Sequence, residues 1–225
     1  MAPQRGREIV NDILVRPSEP ALAVAAALAK ATGAQVRSIP ADCSGAEFTR
    51  ALEDPEAALG VLTRAQGPWE IVQHTTVPLV VVPPETAGDY TLERVLVPLD
   101  GTEEAVHAIA ETVGMFCAAG IEIAVLHVFD RETAPAHWDQ AAHARPAWEQ
   151  GFHARFCAPY LPESCRTLTL RSGAPGEHIL DVAAECADLI VLGWSQRLLP
   201  DRARVVRHLL AASPVPILLT PAHTA

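Results

Sequence analysis

The segment Val77-Pro78-Leu79-Val80-Val81-Val82-Pro83 returns near the end of the chain as Val215-Pro216-Ile217-Leu218-Leu219-Thr220-Pro221. Proline has no N–H to donate and is poorly tolerated inside a sheet, so the flanking prolines bound a short strand in each copy. The apolar residues between them have no polar side to turn to water. Each copy closes a stretch that opens on another matching strand, Ile13-Leu14-Val15 and Val95-Leu96-Val97. The chain therefore reads as a degenerate tandem repeat of one α/β unit, with a first copy about half as long as the second.

The second half parses readily. Val95 to Leu99 is a continuous apolar run that ends at Asp100-Gly101-Thr102. Thr102 suits the N-cap of a following helix, and Glu103 and Glu104 suit its positive end. Val106, Ile109, Ala110, Val113 and Cys117 recur at helical spacing, and Gly120 ends the helix. Ile121 to Phe129 is a second strand. A helix is expected around 143–157, an alternating strand over 166–171, and a helix opening at Pro175. The apolar strand Leu189–Leu192, a helix at about 201–212 and the closing strand complete the half.

This alternation implies a parallel sheet with helices on both faces. The first, second and fourth strands read as buried on both sides and central; the alternating third reads as an edge. The resulting order is 3-2-1-4-5, and ligands in such sheets bind beyond the carboxyl ends of the strands at the switch point. Those ends are Leu99-Asp100-Gly101 and Leu192-Gly193-Trp194.

In the first half the strands are Asp12–Val15, Gln35–Ile39 and Ala58–Leu62, with helices at 21–32, around 48–51 and at 68–74; one strand-helix pair is missing. The expected units are 1–84 and 93–225, joined by a linker at 85–92. An edge strand as apolar as Val215–Pro221 would template aggregation if left open. Pairing of the two closing strands, antiparallel about a pseudo-twofold axis, is the economical cover, making the chain an intramolecular pseudo-dimer.

Composition narrows the partners. A net charge of −10 disfavours nucleic acid and anionic membrane surfaces. No apolar run reaches the roughly 20 residues of a membrane span, and no secretory leader is evident, so a cytoplasmic protein is expected. The cysteines Cys43, Cys117, Cys157, Cys165 and Cys186 form no C-x-x-C pair and read as free thiols.

The run Arg94-Val95-Leu96-Val97-Pro98-Leu99-Asp100-Gly101-Thr102, with Leu126-His127-Val128, Asp188-Leu189-Ile190-Val191-Leu192-Gly193 and Pro214-Val215-Pro216-Ile217-Leu218-Leu219, resembles the universal stress protein family in tandem arrangement. The resemblance implies a Rossmann-like fold with the strand order above. Many members bind ATP through a glycine, two residues, a second glycine, nine residues, then Gly-Ser or Gly-Thr. Here Gly193 matches the first glycine, Gln196 stands at the second, and Ala203-Arg204 falls near the last pair.

The resemblance thus outlines a candidate crevice of Pro98, Leu99, Asp100, Gly101, Thr102, His127, Val128, Gly193, Trp194, Ser195, Gln196 and Arg204. Asp100 matches the acidic residue that contacts adenine or ribose; equally, it can order the turn with Thr102. Arg197, Arg202 and Arg204 can supply charge that lost glycine N–H groups no longer do, or can be a solvated helix face. Trp194 is expected to cap the crevice. In the first half, Arg16-Pro17-Ser18 replaces the acidic turn, and Gly60 reads as its one retained glycine.

No nucleophile arrangement is present. His137, Asp139, His143, Glu149 and His153 match no metal-ligand spacing, and no metal is expected. Trp138, Trp148, Phe152 and Phe156 pack a helix over the sheet or line a lid. The expectation is a non-catalytic regulatory or small-ligand-binding protein with no cofactor. The alternatives are an adenine-nucleotide binder with altered phosphate contacts and a ligand-free scaffold for an unidentified protein partner. A homodimer also remains open.

Overall fold

The computed structural model describes residues 12–129, 144–162, 167–194 and 200–222. In chain order the elements are β1 (Asp12–Val15), α1 (Glu19–Thr32), β2 (Gln35–Ser38), α2 (Gly45–Ala51), β3 (Ala57–Thr63), α3 (Pro68–His74) and β4 (Leu79–Val82). They continue as β5 (Arg94–Pro98), α4 (Glu103–Ala118), β6 (Glu122–Phe129), α5 (Ala144–Phe152), β7 (Thr167–Ser172), α6 (Pro175–Cys186), β8 (Leu189–Trp194), α7 (Pro200–Ala212) and β9 (Ile217–Pro221).

Local chemistry sets the helix ends. Ser18 caps α1, its hydroxyl accepting from the Ala21 N–H at 3.3 Å, and Gly33 ends the helix at φ 74°. Thr102 caps α4 in the same way, accepting from Ala105 N–H at 3.3 Å. Ser44 and Glu47 form a reciprocal capping box on α2, and Pro68 opens α3.

The strands form one continuous sheet in the order β2-β1-β3-β4-β9-β8-β5-β6-β7. The second half keeps the expected 3-2-1-4-5 order, with β7 at the sheet's end. Among the described residues the first half repeats it without a counterpart of β7. All neighbours are parallel except β4 and β9, which meet antiparallel as expected, pairing Leu79 with Leu219, Val80 with Leu218 and Val81 with Ile217. Val80 thus faces its own equivalent in the other copy, and its neighbours exchange partners around it. That register places a pseudo-twofold axis through the Val80–Leu218 pair.

Contacts around the axis come in matched pairs. Trp69 and Arg207 hold equivalent positions before the two closing strands, and the Arg207 guanidinium lies 4.3 Å from the Trp69 ring centre. Arg64, just after β3, donates to the carbonyls of Ala211 and Ser213 behind α7. Trp194, its equivalent at the end of β8, donates to the Val72 carbonyl in α3 at 3.3 Å.

The sheet divides two cores. Helices α1 and α4, with α5 and its continuation, cover one face; α2, α3, α6 and α7 cover the other. Leu218 on the first face and Leu219 on the second are both under 4% exposed. Gly60, expected as a retained ligand glycine, has a different role. It pairs with Leu79, and so corresponds to Ile190 rather than Gly193. A Cβ there would lie 2.8 Å from Leu79 Cδ1 and 2.9 Å from Leu52 Cδ2, so Gly60 makes room for core side chains.

Truncating the side chain on the axis should be costly. Leu218→Ala is expected to lower unfolding free energy by about 2–5 kcal/mol, against about 0.5 kcal/mol or less for Leu22→Ala at an exposed site. Equilibrium urea denaturation compares the two.

Candidate functional site

β5 and β8 pair only at Val95–Leu189 and Leu96–Ile190, although both strands run on. The ladder between them stops short of their carboxyl ends, and the first turn of α4 packs closely on β8 there. A Cβ on Gly193 would meet Ala105 O at 2.7 Å and Ala105 Cα at 3.1 Å. Glycine at 193 is therefore required by close helix–strand contact, before any ligand is considered.

Above β5 the chain turns sharply. Leu99 N–H donates to Leu126 O at 2.8 Å, extending the ladder one residue past the strand. Asp100 Oδ1 then accepts from both Thr102 N–H (3.0 Å) and the Thr102 hydroxyl (2.7 Å). The Asp100 carboxylate is thus committed to ordering the turn that starts α4, while remaining exposed. Gly101 between them adopts φ 81°, in the left-handed region where glycine is preferred.

His127 on β6 leans toward this turn. The residue is 7% exposed, and its Nδ1 lies 2.7 Å from Leu99 O. A carbonyl can only accept, so Nδ1 carries the proton and donates. The ring sits between Phe129, at 4.5 Å and nearly perpendicular, and Phe152, at 4.4 Å. Phe156 lies tilted against Phe152 at 4.9 Å, and Trp148 meets Phe129 edge-on at 6.0 Å.

These rings come from α5 and the π-helical turn His153–Cys157 that prolongs it, where Ala158 N–H reaches back to His153 O at 2.8 Å. Phe152 and Phe156 are both buried and close over Gly101, where an added Cβ would lie 3.6 Å from the His127 ring, 3.7 Å from Phe152 and 4.0 Å from Phe156. Cys157 beneath them is 1% exposed, and burial pushes its thiol up to about 11. A thiol so shifted stays protonated and is no nucleophile.

Pro98, Leu99, Asp100, Gly101, Thr102 and His127 are therefore gathered at one turn, with Gly193 on the far side of the α4 N-terminus. Val128 is not part of this group: it packs in the opposite core from His127, as strand alternation demands. Trp194, expected to cap the crevice, is instead turned into the seam between the halves. It is 3% exposed, edge-on to Trp69 at 5.9 Å. Period two on β8 sends Gly193 toward α4 and Trp194 away from it. Arg204 is exposed on α7, in the opposite helix layer from α4. Ser195, Gln196 and Arg197 lie outside the described residues, as do His137, Trp138, Asp139 and His143. Among the described residues no cluster of three metal-ligating side chains occurs.

The family profile of universal stress proteins matches residues 91–221. The chain belongs to the universal stress protein family. A universal stress protein from Archaeoglobus fulgidus is 16% identical over 85% of this chain and 73% of its own, with a TM-score of 0.56. At that identity the likeness concerns the fold, and it extends over more than either half alone. A universal stress protein in complex with cAMP matches 59% of this chain and 98% of its own, at 17% identity and a TM-score of 0.44. UspA from Lactobacillus plantarum matches 57% and 97%, at 24% identity and a TM-score of 0.40. No curated protein matches the chain.

The sequence reading named Phe152 and Phe156 as either packing or lid residues and missed what Arg16 does in the first half. At the position equivalent to Asp100, Arg16 extends across the carboxyl ends of that half's strands. Its terminal nitrogens donate to Cys43 O at 2.6 Å and Gln66 O at 3.1 Å, tying the loops after β2 and β3 together. The signal was available: counted back from the helix caps Ser18 and Thr102, an Arg stands where the other half has an Asp.

The close approach at Gly193 gives a test separable from ligand binding. Gly193→Ala should lower unfolding free energy by about 1–3 kcal/mol in urea denaturation without any ligand, because the added methyl must displace backbone. Unchanged stability would mean the glycine is not required by packing.

Proposed function

We propose that this chain is a non-catalytic regulatory or small-ligand-binding universal stress protein that does not take ATP in the manner of the ATP-binding members. What carries the reading is the cluster of the His127, Phe152 and Phe156 rings over Gly101. A base bound above the Asp100 turn would have to displace rings that are already buried there. The sequence supports the same reading, with Gln196 and Ala203 where the ATP-binding pattern has glycine. We further read residues 1–84 as a shortened unit of the same kind, 85–92 as the connector and 93–225 as the complete unit. Arg16 fills the shortened unit's crevice with its own cation and its own acceptors, so function rests with the second half. The apolar closing strands cover each other within one chain, so neither needs a second subunit as a cover.

In a thermal-shift titration, millimolar Mg-ATP should leave the melting temperature unchanged. A ligand at a hundredfold excess over its dissociation constant would add about 2.7 kcal/mol, a rise on the order of 5–10 °C for a chain of this size. Calorimetry showing micromolar Mg-ATP affinity would reject the reading in favour of altered phosphate contacts. Arg16→Ala should cost roughly 1–3 kcal/mol of stability in urea denaturation by removing the donors to two half-buried carbonyls.

A further inference from the structure

The helices on the second face of the sheet sort their charge. α6 carries Glu177, Asp181 and Glu185 four residues apart, in one stripe along the helix, and has no Lys or Arg. All three carboxylates are exposed, while Ile179 and Ala183 bury the opposite side. α7 is the reverse. From Arg202 to Ala225 the chain holds no Asp or Glu, although its net charge is −10. Arg204, Arg207 and His208 stand exposed on one face of α7, and Val206, Leu209 and Leu210 are buried on the other. The two helices pack closely, since a Cβ on Gly176 in α6 would lie 2.8 Å from His208 Cδ2. An acidic and a basic patch thus lie side by side on one surface.

The basic patch is held in place without a countercharge on Arg207. Arg37, Arg64 and Arg94 each meet a carboxylate within 3.2 Å. Arg207 instead lies over Trp69, 4.3 Å from the ring centre. Among the described residues no ion pair includes Arg207, Glu177, Asp181 or Glu185. A guanidinium laid on a ring keeps the N–H groups at its rim for a carboxylate. Trp69 is itself met edge-on by Trp194, whose indole N–H donates to Val72 O. Trp and Arg backed rigidly in this way are the residue types that dominate protein interfaces.

We infer that this surface is an interface between two copies of the chain, with the acidic patch of α6 in each set against the basic patch of α7 in the other. Two patches of opposite sign on one face are self-complementary. A twofold axis lying in the face, perpendicular to the line joining them, places each patch on its opposite and gives a closed, isologous contact. A separate acidic partner would meet the basic patch but be repelled by α6 beside it; a second copy satisfies both patches at once. The contact is polar and belongs to the small, transient class. It is distinct from the cover of the closing strands, which β4 and β9 give each other within one chain.

Sedimentation equilibrium of the full chain tests this. The wild type should show a reversible monomer–dimer equilibrium at concentrations up to about 1 mM. Arg204→Glu with Arg207→Glu turns the α7 patch acidic, and Asp181→Arg with Glu185→Arg turns the α6 patch basic. Each double variant should dimerise roughly tenfold or more weakly, because like charges then oppose. An equimolar mixture of the two folded variants should recover association as a mixed dimer, although both remain net acidic. The α6 variant changes exposed side chains alone, so its state of association decides the question even if loss of the Arg207–Trp69 contact unfolds the other. A wild type that stays monomeric, or a dimer that the α6 reversal leaves intact, would overturn the interface. Folded variants that fail to associate on mixing would overturn the pairing of acid with base. A monomeric wild type whose melting temperature rises with polyglutamate would assign the basic patch to an acidic partner and overturn the second copy.

Discussion

The antiparallel pairing of β4 with β9 is the contact on which the rest of the molecule depends. Each strand carries apolar residues on both faces, and each would be an open edge if its half stood alone. A fully buried Val or Leu contributes roughly 1.5–3 kcal/mol by leaving water. Paired, Leu79, Val80, Val82 and Ile217 are all at or below 1% exposure. The register then dictates the remaining geometry. Once Val80 faces Leu218, the ends of β3 and β8 must approach the last helix of the opposite half, which is where Arg64 and Trp194 make their crossed hydrogen bonds.

Given that frame, the two halves close their carboxyl ends differently. The first bridges two loops with a guanidinium; the second lays aromatic rings from α5 over the turn. The cause lies in what each retains. The second half has α5 and its π turn to cover the region above β5 and β6. The first half has no counterpart of α5 among its described elements, and one long side chain reaches across what would otherwise be open backbone. The shortening also makes β2 a terminal strand of the sheet. It is four residues long, fully exposed, and carries Arg37 in ion pairs with Asp12 and Asp54. Such exposed pairs add little stability; a short edge bearing charge serves to discourage further pairing.

Strand order, most helix boundaries and the β4–β9 pairing were legible in the sequence, because each depends on local signals: apolar runs, caps and proline stops. The Asp100 turn was legible for the same reason, with Thr102 only two residues away. What the sequence concealed were directions set by tertiary packing. Trp194 follows Gly193 directly, so both look like crevice residues until strand alternation separates them. Gly60 resembles a ligand glycine until the pairing with Leu79 fixes its equivalence to Ile190. Phe152 and Phe156 sit about fifty residues from Gly101, and nothing local announces that a π turn brings them over it.

A tandem repeat lets each half act as a control for the other, and here the differences are not spread evenly. The strands at the axis stay apolar in both copies, since any polar residue there would be buried twice over, once against its own half and once against the other. The crevice turn and the corner between α1 and α4 lie farther from that constraint, and both have diverged: Asp100 against Arg16, Phe116 against Thr32. Divergence at these places costs little stability so long as each copy satisfies its own polar groups. Asp100 does so through Thr102 and Tyr90 through Asp188, while Arg16 places its two terminal nitrogens on Cys43 and Gln66 and leaves Nε buried without a partner.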